Sequence, residues 1–140
     1  MTTKNSVSVA IHDDSGRVLV VLRPPDDDEL PNLWGLPASS LRADEGWEDA
    51  VRRTAREKLG VEVEVGRELC RGSTDRANYR LDMRLFEAHI VSGTPTVRDD
   101  VEGVTHYADW KWGTADMLQP AADRGSLCCR LYRRHAEDAG

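Results

Sequence analysis

The chain has 140 residues, of which 39% are hydrophobic and 31% are charged, and its formal net charge is −6 at pH 7. This length fits a single domain over residues 1–140, and the apolar fraction excludes an intrinsically disordered chain. The acidic balance argues against a binder of duplex DNA or RNA, because such proteins usually carry a basic surplus that neutralises phosphates.

Cysteine usage and hydrophobicity indicate the compartment. The three cysteines, Cys70, Cys128 and Cys129, do not suit a disulfide framework, because their number is odd and two are adjacent. We therefore expect a reducing, cytoplasmic environment. The sequence has no run close to the roughly 20 apolar residues of a membrane span, and its first residues lack the apolar core of a signal peptide. We expect no membrane partner.

The N-terminal part of the chain predicts two strands and a loop. The segment SVSVAIHDDSGRVLVVL contains two β-branched runs on either side of a turn-rich cluster at residues 13–16. The next residues, RPPDDDELPN, predict a loop, because two adjacent prolines and three consecutive aspartates do not suit a central strand.

The strongest helix prediction spans Trp47 to Leu59. Asp44 is the predicted N-cap, acidic residues fall in the first turn, and basic residues fall in the second half, as the helix dipole favours. Gly60 predicts the end of the helix. Apolar or small residues recur at three- and four-residue spacing and predict the buried face: Trp47, Ala50, Val51, Thr54, Ala55 and Leu59.

Strands and short helices are predicted after Gly60. VEVEV alternates and predicts a strand, which ELCRGS extends into another. Residues 79–91 predict a long strand with a bulge near Phe86, where the apolar phase shifts. EGVTHYADWKW predicts a last strand or a bent strand pair, and residues 114–118 and 126–136 predict helices. The order of strands, helix, strands and helices predicts an α+β fold with a mixed sheet.

The predicted helix and the residues before it resemble the Nudix box. That motif runs Gly, five residues, Glu, seven residues, Arg-Glu, an aliphatic residue, any residue, Glu-Glu, any residue, Gly and an aliphatic residue. The matching positions are Glu45, Arg53, Ala55, Glu57, Gly60 and Val61. Ser39 replaces the first glycine, and Thr54 and Lys58 replace two glutamates. The box is therefore degenerate at two of the three positions that carry metal-binding carboxylates in the family.

The resemblance extends over nearly the whole chain. LWGLPAS is similar to the family's Trp-x-Leu-Pro-Gly-Gly lead-in, with Ala38 and Ser39 in place of the glycines. A long strand, a Gly-x-Pro turn and a tryptophan before a short Asp-Met-Leu helix also resemble the family. The resemblance implies an α/β/α sandwich, with a mixed sheet, the box helix on one face and C-terminal helices. The resemblance also implies a homodimer as a candidate assembly.

The resemblance implies hydrolysis of a diphosphate linked to another group, with Mg²⁺ or Mn²⁺ as cofactor. Such a cation offsets phosphate charge and activates water. Positions 54, 57 and 58 share a helix face, and with Arg53 the family pattern sums to −2 there. In this chain Arg53 and Lys58 are positive and Glu57 is negative, which sums to +1. A protonated lysine cannot be a ligand, so we expect one weak metal site at Glu57.

The resemblance implies a catalytic set of Glu57, Arg53, Glu45 and Glu102, in which Glu45 orients the loop before the helix. Lys58 and Arg53 are candidates for contacts to phosphate, which lysine binds as a point charge. Structural alternatives exist for each role. Arg53 and Glu57 are spaced as an ordinary surface pair, and Lys58 suits the last helical turn.

Glu102 also has an alternative interpretation. It follows Asp99 and Asp100, and these three acidic residues together suit a turn that is simply exposed to solvent and has no catalytic role. The family resemblance instead implies a late carboxylate that acts as a ligand or base. Both interpretations remain open at this point.

Two functions are compatible with these residues. The first is a Nudix-type hydrolase of a nucleoside diphosphate linked to another moiety, with a depleted divalent-metal site. The alternative is a non-catalytic protein of the same fold that binds a nucleotide or phosphate ligand. Fold alone does not decide between them. In both cases the expected partner is a small-molecule nucleotide or diphosphate.

Overall fold

A computed structural model describes residues 2–103 and 106–139. The elements follow one another in this order: β1 (Thr2–Ile11), β2 (Val18–Leu22), β3 (Trp34–Gly35), β4 (Ala38–Ser40), α1 (Trp47–Leu59), β5 (Glu62–Asp75), β6 (Tyr79–Ser92), β7 (Asp109–Gly113), a 3₁₀ turn (Ala115–Leu118), α2 (Gln119–Asp123) and α3 (Leu127–Ala139).

The strands form two sheets. The larger sheet has the order β4-β1-β6-β5, and the smaller has the order β3-β2-β7. β1 runs parallel to β6 and antiparallel to β4, which makes the larger sheet mixed, as predicted. In the smaller sheet β2 pairs antiparallel with both of its neighbours.

Two hydrophobic clusters lie on opposite faces of β1. Val7 and Val9 pack in one cluster with Val51 and other residues of α1. Ala10 packs in the other cluster with residues of α2 and α3, among them Leu131. Side chains of a strand alternate between its two faces, so β1 supplies both clusters. The predicted sandwich, with the box helix on one face and the C-terminal helices on the other, is confirmed.

Helix α1 has the predicted bounds but a different N-cap. Its N-cap is Gly46, which has extended backbone angles and no side-chain cap, so the prediction of Asp44 was wrong. Asp44 has a φ of 62° and belongs to the turn before the helix. Aspartate tolerates this left-handed conformation. Gly60 ends the helix as predicted, with a φ of 68° and its N–H directed at the last carbonyls.

The irregularity predicted near Phe86 lies on the neighbouring strand. β5 is one continuous strand of 14 residues, and its register against β6 shifts on both sides of Glu68, which pairs with Phe86. The side chains of Leu85 and Phe86 are both buried, which explains the change of apolar phase in the sequence. The extra residues therefore belong to β5, while β6 buries Leu85 in one hydrophobic cluster and Phe86 in the other.

The C-terminal part of the chain contains less strand and more helix than predicted. Of EGVTHYADWKW, the last four residues lie in the described strand Asp109–Gly113, and residues 104–105 lie outside the described residues. Helix α2 was not predicted; it is five residues long and has Pro120 in its first turn, where a missing N–H is tolerated. In the described part of the chain, no helix combines the length and apolar character needed to cross a membrane.

Candidate functional site

A basic cavity of about 410 Å³ lies at the C-terminal half of α1, between β4, β1 and β6. Its lining includes one acidic side chain, Glu29, and five basic ones: Lys4, Arg23, Arg42, Arg53 and Lys58. Such a cavity attracts anions. A chain with a negative net charge can therefore still bind a phosphate ligand here, because the positive side chains are clustered locally. We call it the basic cavity below.

Lys58 reaches the basic cavity from the buried side of α1. The residue is only 9% exposed. Its ammonium donates hydrogen bonds to the carbonyl oxygen of Ala38 and to the hydroxyl of Tyr107, the latter at 3.2 Å. The nitrogen also lies 5.0 Å from the centre of the Tyr107 ring, a distance that suits a cation–π contact. Both hydrogen-bond partners are neutral, so these contacts leave the positive charge uncompensated.

Glu57 is held between two arginines. Its carboxylate accepts hydrogen bonds from Arg42 at 3.0 and 3.1 Å and from Arg53 at 3.0 Å. Burial by itself would raise the pKa of Glu57, but the hydrogen bonds from Arg53 and Arg42 outweigh it and lower that pKa. The carboxylate is therefore ionised and already neutralised by guanidinium groups of the protein.

Arg53 connects α1 to the loop that precedes it. Its guanidinium donates to Glu45 at 2.8 and 2.9 Å, to Glu57 at 3.0 Å and to the carbonyl of Ser40 at 2.9 Å. Arg53 and Glu57 do form the predicted pair, but both side chains are largely buried, so it is not a surface pair. Glu45 in turn accepts the backbone N–H of Arg42 at 3.0 Å. The hydrogen bond from Arg53 is the main cause that lowers the pKa of Glu45. These contacts fix the loop against the helix.

Thr54 does not face the basic cavity. It is fully buried, and its hydroxyl donates to the carbonyl of Ala50 at 2.7 Å, within the same helix. Of the three positions expected to converge on a cation, Thr54 is thus internal, Glu57 lies between arginines, and only Lys58 lines the cavity. The structure does not bring these three side chains together as a ligand set.

The arrangement does not fit a tight site for Mg²⁺ or Mn²⁺ on the box helix. These cations require several oxygen ligands, whereas the Glu57 oxygens and the Ala38 carbonyl already accept hydrogen bonds from positive groups. A cation placed there would also be repelled by Lys58, by roughly 1 kcal/mol in water and more where water is excluded. Across residues 2–103 and 106–139, no cluster of three or more His, Cys, Asp or Glu side chains could hold a metal.

Glu102 lies in an exposed turn, next to Gly103, which lines the basic cavity. Of the two preceding aspartates, Asp99 is exposed and Asp100 forms an ion pair with Arg98 at 3.0 Å. Residues 104–105, which follow Gly103, lie outside the described part of the chain. Glu102 is therefore close to the cavity along the chain, and its role in chemistry stays a prediction.

Tyr107 is the main residue of the site that sequence analysis missed. It is 8% exposed, lines the basic cavity and contacts both Lys58 and the backbone of Ala38. No local motif marks it, because its partners lie 49 and 69 positions away. Lys4 was missed for the same reason: it reaches the cavity through the pairing of β1 with β6, and its ammonium lies 4.7 Å from the centre of the Tyr79 ring.

Comparison with known proteins identifies the family. Residues 2–127 match the family model described as NUDIX domain. A curated relative, RNA pyrophosphohydrolase from Pseudomonas putida (strain GB-1), is 27% identical over 145 residues, which cover 92% of this chain and 86% of the relative. The MutT NUDIX hydrolase from Burkholderia pseudomallei is 26% identical in a structural match with a TM-score of 0.69, which covers 83% of this chain and 86% of that one.

A third match concerns the fold alone. The MutT protein from Methanosarcina mazei Go1 superimposes with a TM-score of 0.76 over 99% of this chain and 96% of that chain, at 16% identity. Its mixed α and β architecture agrees with the two sheets and flanking helices described above. Because the family match covers most of the chain, the protein belongs to the Nudix hydrolase superfamily.

Proposed function

We propose that the protein is a Nudix-type hydrolase of a nucleoside diphosphate linked to another moiety. In this hydrolase the Lys58 ammonium binds the phosphate group in place of a tightly bound cation. The main support is Lys58, a residue that lines the basic cavity and whose ammonium has two neutral hydrogen-bond partners. A phosphate oxygen would supply the negative charge that these partners lack.

A phosphate-bearing small molecule suits the basic cavity in its charge. The five basic side chains face one acidic side chain there, although Arg42 and Arg53 are also paired with Glu57. The net charge of −6 over the whole chain disfavours a long polyanion, because the surface outside the cavity would repel it. The name of the Pseudomonas relatives, RNA pyrophosphohydrolase, supports a diphosphate linkage as the group acted on.

The chemical contribution of the site is electrostatic. Hydrolysis of a diphosphate increases negative charge on the phosphate oxygens and on the leaving group, and fixed positive groups in a cavity stabilise this charge. Lys58, held by Ala38 and Tyr107, is oriented before the ligand arrives. Mg²⁺ or Mn²⁺ enters this proposal only as a weakly bound cation, since the residues of α1 do not fit a tight site.

Binding without hydrolysis is a second candidate, and one observation favours it. The two carboxylates that the chain retains from the box, Glu45 and Glu57, are both held by arginines. Their lowered pKa values make them poor acceptors of a proton from water. Under this candidate the same cavity holds the same class of ligand and releases it unchanged.

One experiment separates the two candidates. A panel of nucleoside diphosphate compounds is incubated with the protein in Mg²⁺, in Mn²⁺ and in EDTA, and both product formation and the melting temperature are measured. The hydrolase proposal predicts product with at least one compound, and a rate that EDTA lowers by less than about tenfold. A raised melting temperature without product indicates the binding protein. Product that forms only with metal, or no effect from any compound, contradicts the proposal.

A further inference from the structure

Tyr107 occupies a fixed position between two cavities. It lines the basic cavity and also a neighbouring cavity of about 530 Å³. That second cavity is also lined by the aspartates of the loop after β2. The adjacent backbone is anchored, because the N–H of Ala108 donates to the carbonyl of Leu22 at 2.8 Å. The phenol is therefore held at the wall of the basic cavity by the chain itself.

The hydrogen bonds of the Tyr107 hydroxyl leave its proton available. The oxygen accepts the N–H of Ala38 at 3.3 Å and the ammonium of Lys58 at 3.2 Å. A phenolic oxygen accepts through its lone pairs and still has one O–H to donate. Within the described residues, the hydroxyl takes part in these two bonds only as the acceptor. A ligand in the cavity can therefore receive the phenolic proton.

Lys58 has a donor available in the same place. An ammonium group has three N–H donors, and the two described partners, the Ala38 carbonyl and the Tyr107 hydroxyl, use two of them. The third donor of Lys58 and the proton of Tyr107 belong to atoms 3.2 Å apart, on two residues that line the same cavity. A single oxygen atom about 2.8 Å from both can accept both hydrogen bonds.

We propose that Lys58 and Tyr107 together form a paired donor site for one oxygen of a phosphate group, with Tyr107 contacting the ligand and holding Lys58 in place. This inference rests on the proposed function, because it adds to the same cavity a ligand-contacting residue outside the box. The chemical class of the ligand follows from charge: the ammonium has neutral protein partners, and further basic side chains such as Lys4 and Arg23 line the cavity.

A purely structural role for the pair makes a different prediction. If Lys58 and Tyr107 only attach α1 to β4, removing the Tyr107 hydroxyl lowers stability and leaves anion affinity unchanged. If the hydroxyl contacts a phosphate oxygen, its removal weakens the anion even where the protein remains folded. Affinity measured on the folded variant therefore separates the two roles.

Tyr132 supplies a matched control for Tyr107. The two tyrosines are similarly buried, at 7% and 8% exposure. The Tyr132 hydroxyl is hydrogen-bonded to His12 at 2.9 Å, and Tyr132 is not among the residues that line the basic cavity. Each Tyr→Phe substitution removes one buried hydroxyl that has a partner, so general effects of losing such a hydroxyl are the same in both variants.

The test is calorimetric titration of the folded proteins with inorganic diphosphate in buffer that contains EDTA. We expect measurable binding to the native protein, about tenfold weaker binding to Tyr107→Phe, about 100-fold weaker binding to Lys58→Met, and a change below twofold for Tyr132→Phe. Circular dichroism and melting temperature establish that each variant is folded.

Two results would overturn the paired donor site. One is a native protein that does not bind inorganic diphosphate without metal, and the other is a Tyr107→Phe variant with native affinity. Either result is distinct from failure of the proposed function, because hydrolysis of a nucleoside diphosphate compound is measured separately. Hydrolysis without metal-free diphosphate binding would refute the paired donor site and leave the hydrolase assignment in place.

Discussion

Arg53 and Glu45 form a double hydrogen bond, with Nε to Oε2 at 2.8 Å and Nη2 to Oε1 at 2.9 Å. Both side chains are largely buried, at 13% and 14% exposure, so the pair is better shielded from solvent than a surface ion pair. These two box residues therefore stabilise the loop before α1, whichever function the cavity has.

The first prediction concerns this pair. Arg53→Met removes the bonds to Glu45, Glu57 and Ser40 and leaves two carboxylates without this partner, so we expect a loss of about 2–4 kcal/mol in the free energy of unfolding. Urea denaturation measures this change. Arg52→Met is the control, because Arg52 is more exposed and pairs with the exposed Asp49 at 3.0 Å. That control should lose less than about 1 kcal/mol, and equal losses in the two variants would contradict the assignment.

Acid should weaken the same network. The pKa values of Glu45 and Glu57 are both lowered in the folded protein, so their contribution is fully present above the ordinary glutamate value of 4.5. It is lost as pH falls through the lower folded values, since the unfolded chain then binds more protons. We expect Glu45→Gln to show a smaller loss of stability between pH 5 and pH 3 than the native protein does. The free energy of unfolding is measured by urea denaturation at each pH. If it falls equally steeply with pH in Glu45→Gln and in the native protein, Glu45 does not contribute to the acid sensitivity.

A negative charge at position 58 should weaken anion binding and strengthen metal binding. Lys58→Glu changes the sum over positions 53, 57 and 58 from +1 to −1 and places a carboxylate near the Ala38 carbonyl. We expect at least tenfold tighter Mg²⁺ binding than in the native protein, together with loss of metal-free diphosphate binding. Calorimetry measures both affinities.

The control for this exchange is Lys58→Met, which should lose diphosphate binding without gaining Mg²⁺. A native protein that already binds Mg²⁺ with a low micromolar dissociation constant would contradict the charge argument. A double variant that adds Thr54→Glu to Lys58→Glu would match the family box more completely. It is less informative, because Thr54 is fully buried and a glutamate there would place a charged carboxylate away from water.

Position 57 provides a contrast with position 58. The Glu57 carboxylate is occupied by Arg42 and Arg53, so we expect Glu57→Gln to lower kcat/KM for any hydrolysed compound by less than about tenfold. Lys58→Met should lower it by about 100-fold, since it removes the positive group nearest the ligand. A loss of 100-fold or more in Glu57→Gln would instead give Glu57 the catalytic role that the box pattern implies.

The sequence predicted the elements that depend on local patterns. Helix α1 was predicted with its observed bounds, because its apolar spacing and Gly60 are both local signals. The N-cap was assigned wrongly, because the sequence does not reveal that Asp44 adopts a left-handed turn two residues before Gly46. Strands β3 and β4 have only two and three residues, too few for a pattern of alternation.

The candidate site was predictable only where it follows the box. The spacing of α1 drew attention to Lys58, whose role stays a prediction, and it predicted the ion pair between Arg53 and Glu57. Tyr107 could not be identified, because its contacts with Lys58 and Ala38 depend on how β4 and the segment before β7 meet in the fold. The neutralisation of Glu57 by Arg42, 15 positions away, was hidden for the same reason.

The contact between Lys58 and phosphate can be tested by observing the Lys58 ammonium itself. The chain has three lysines, at positions 4, 58 and 111, so the ¹⁵N spectrum of lysine side chains is simple, and Lys58→Met identifies the Lys58 signal by its loss. We expect that inorganic diphosphate, added in the presence of EDTA, shifts the Nζ resonance of Lys58 in a saturable manner and leaves that of Lys111 in place. If the Lys58 resonance stays unchanged while the protein binds diphosphate, the Lys58 ammonium does not contact the phosphate, which contradicts the proposal.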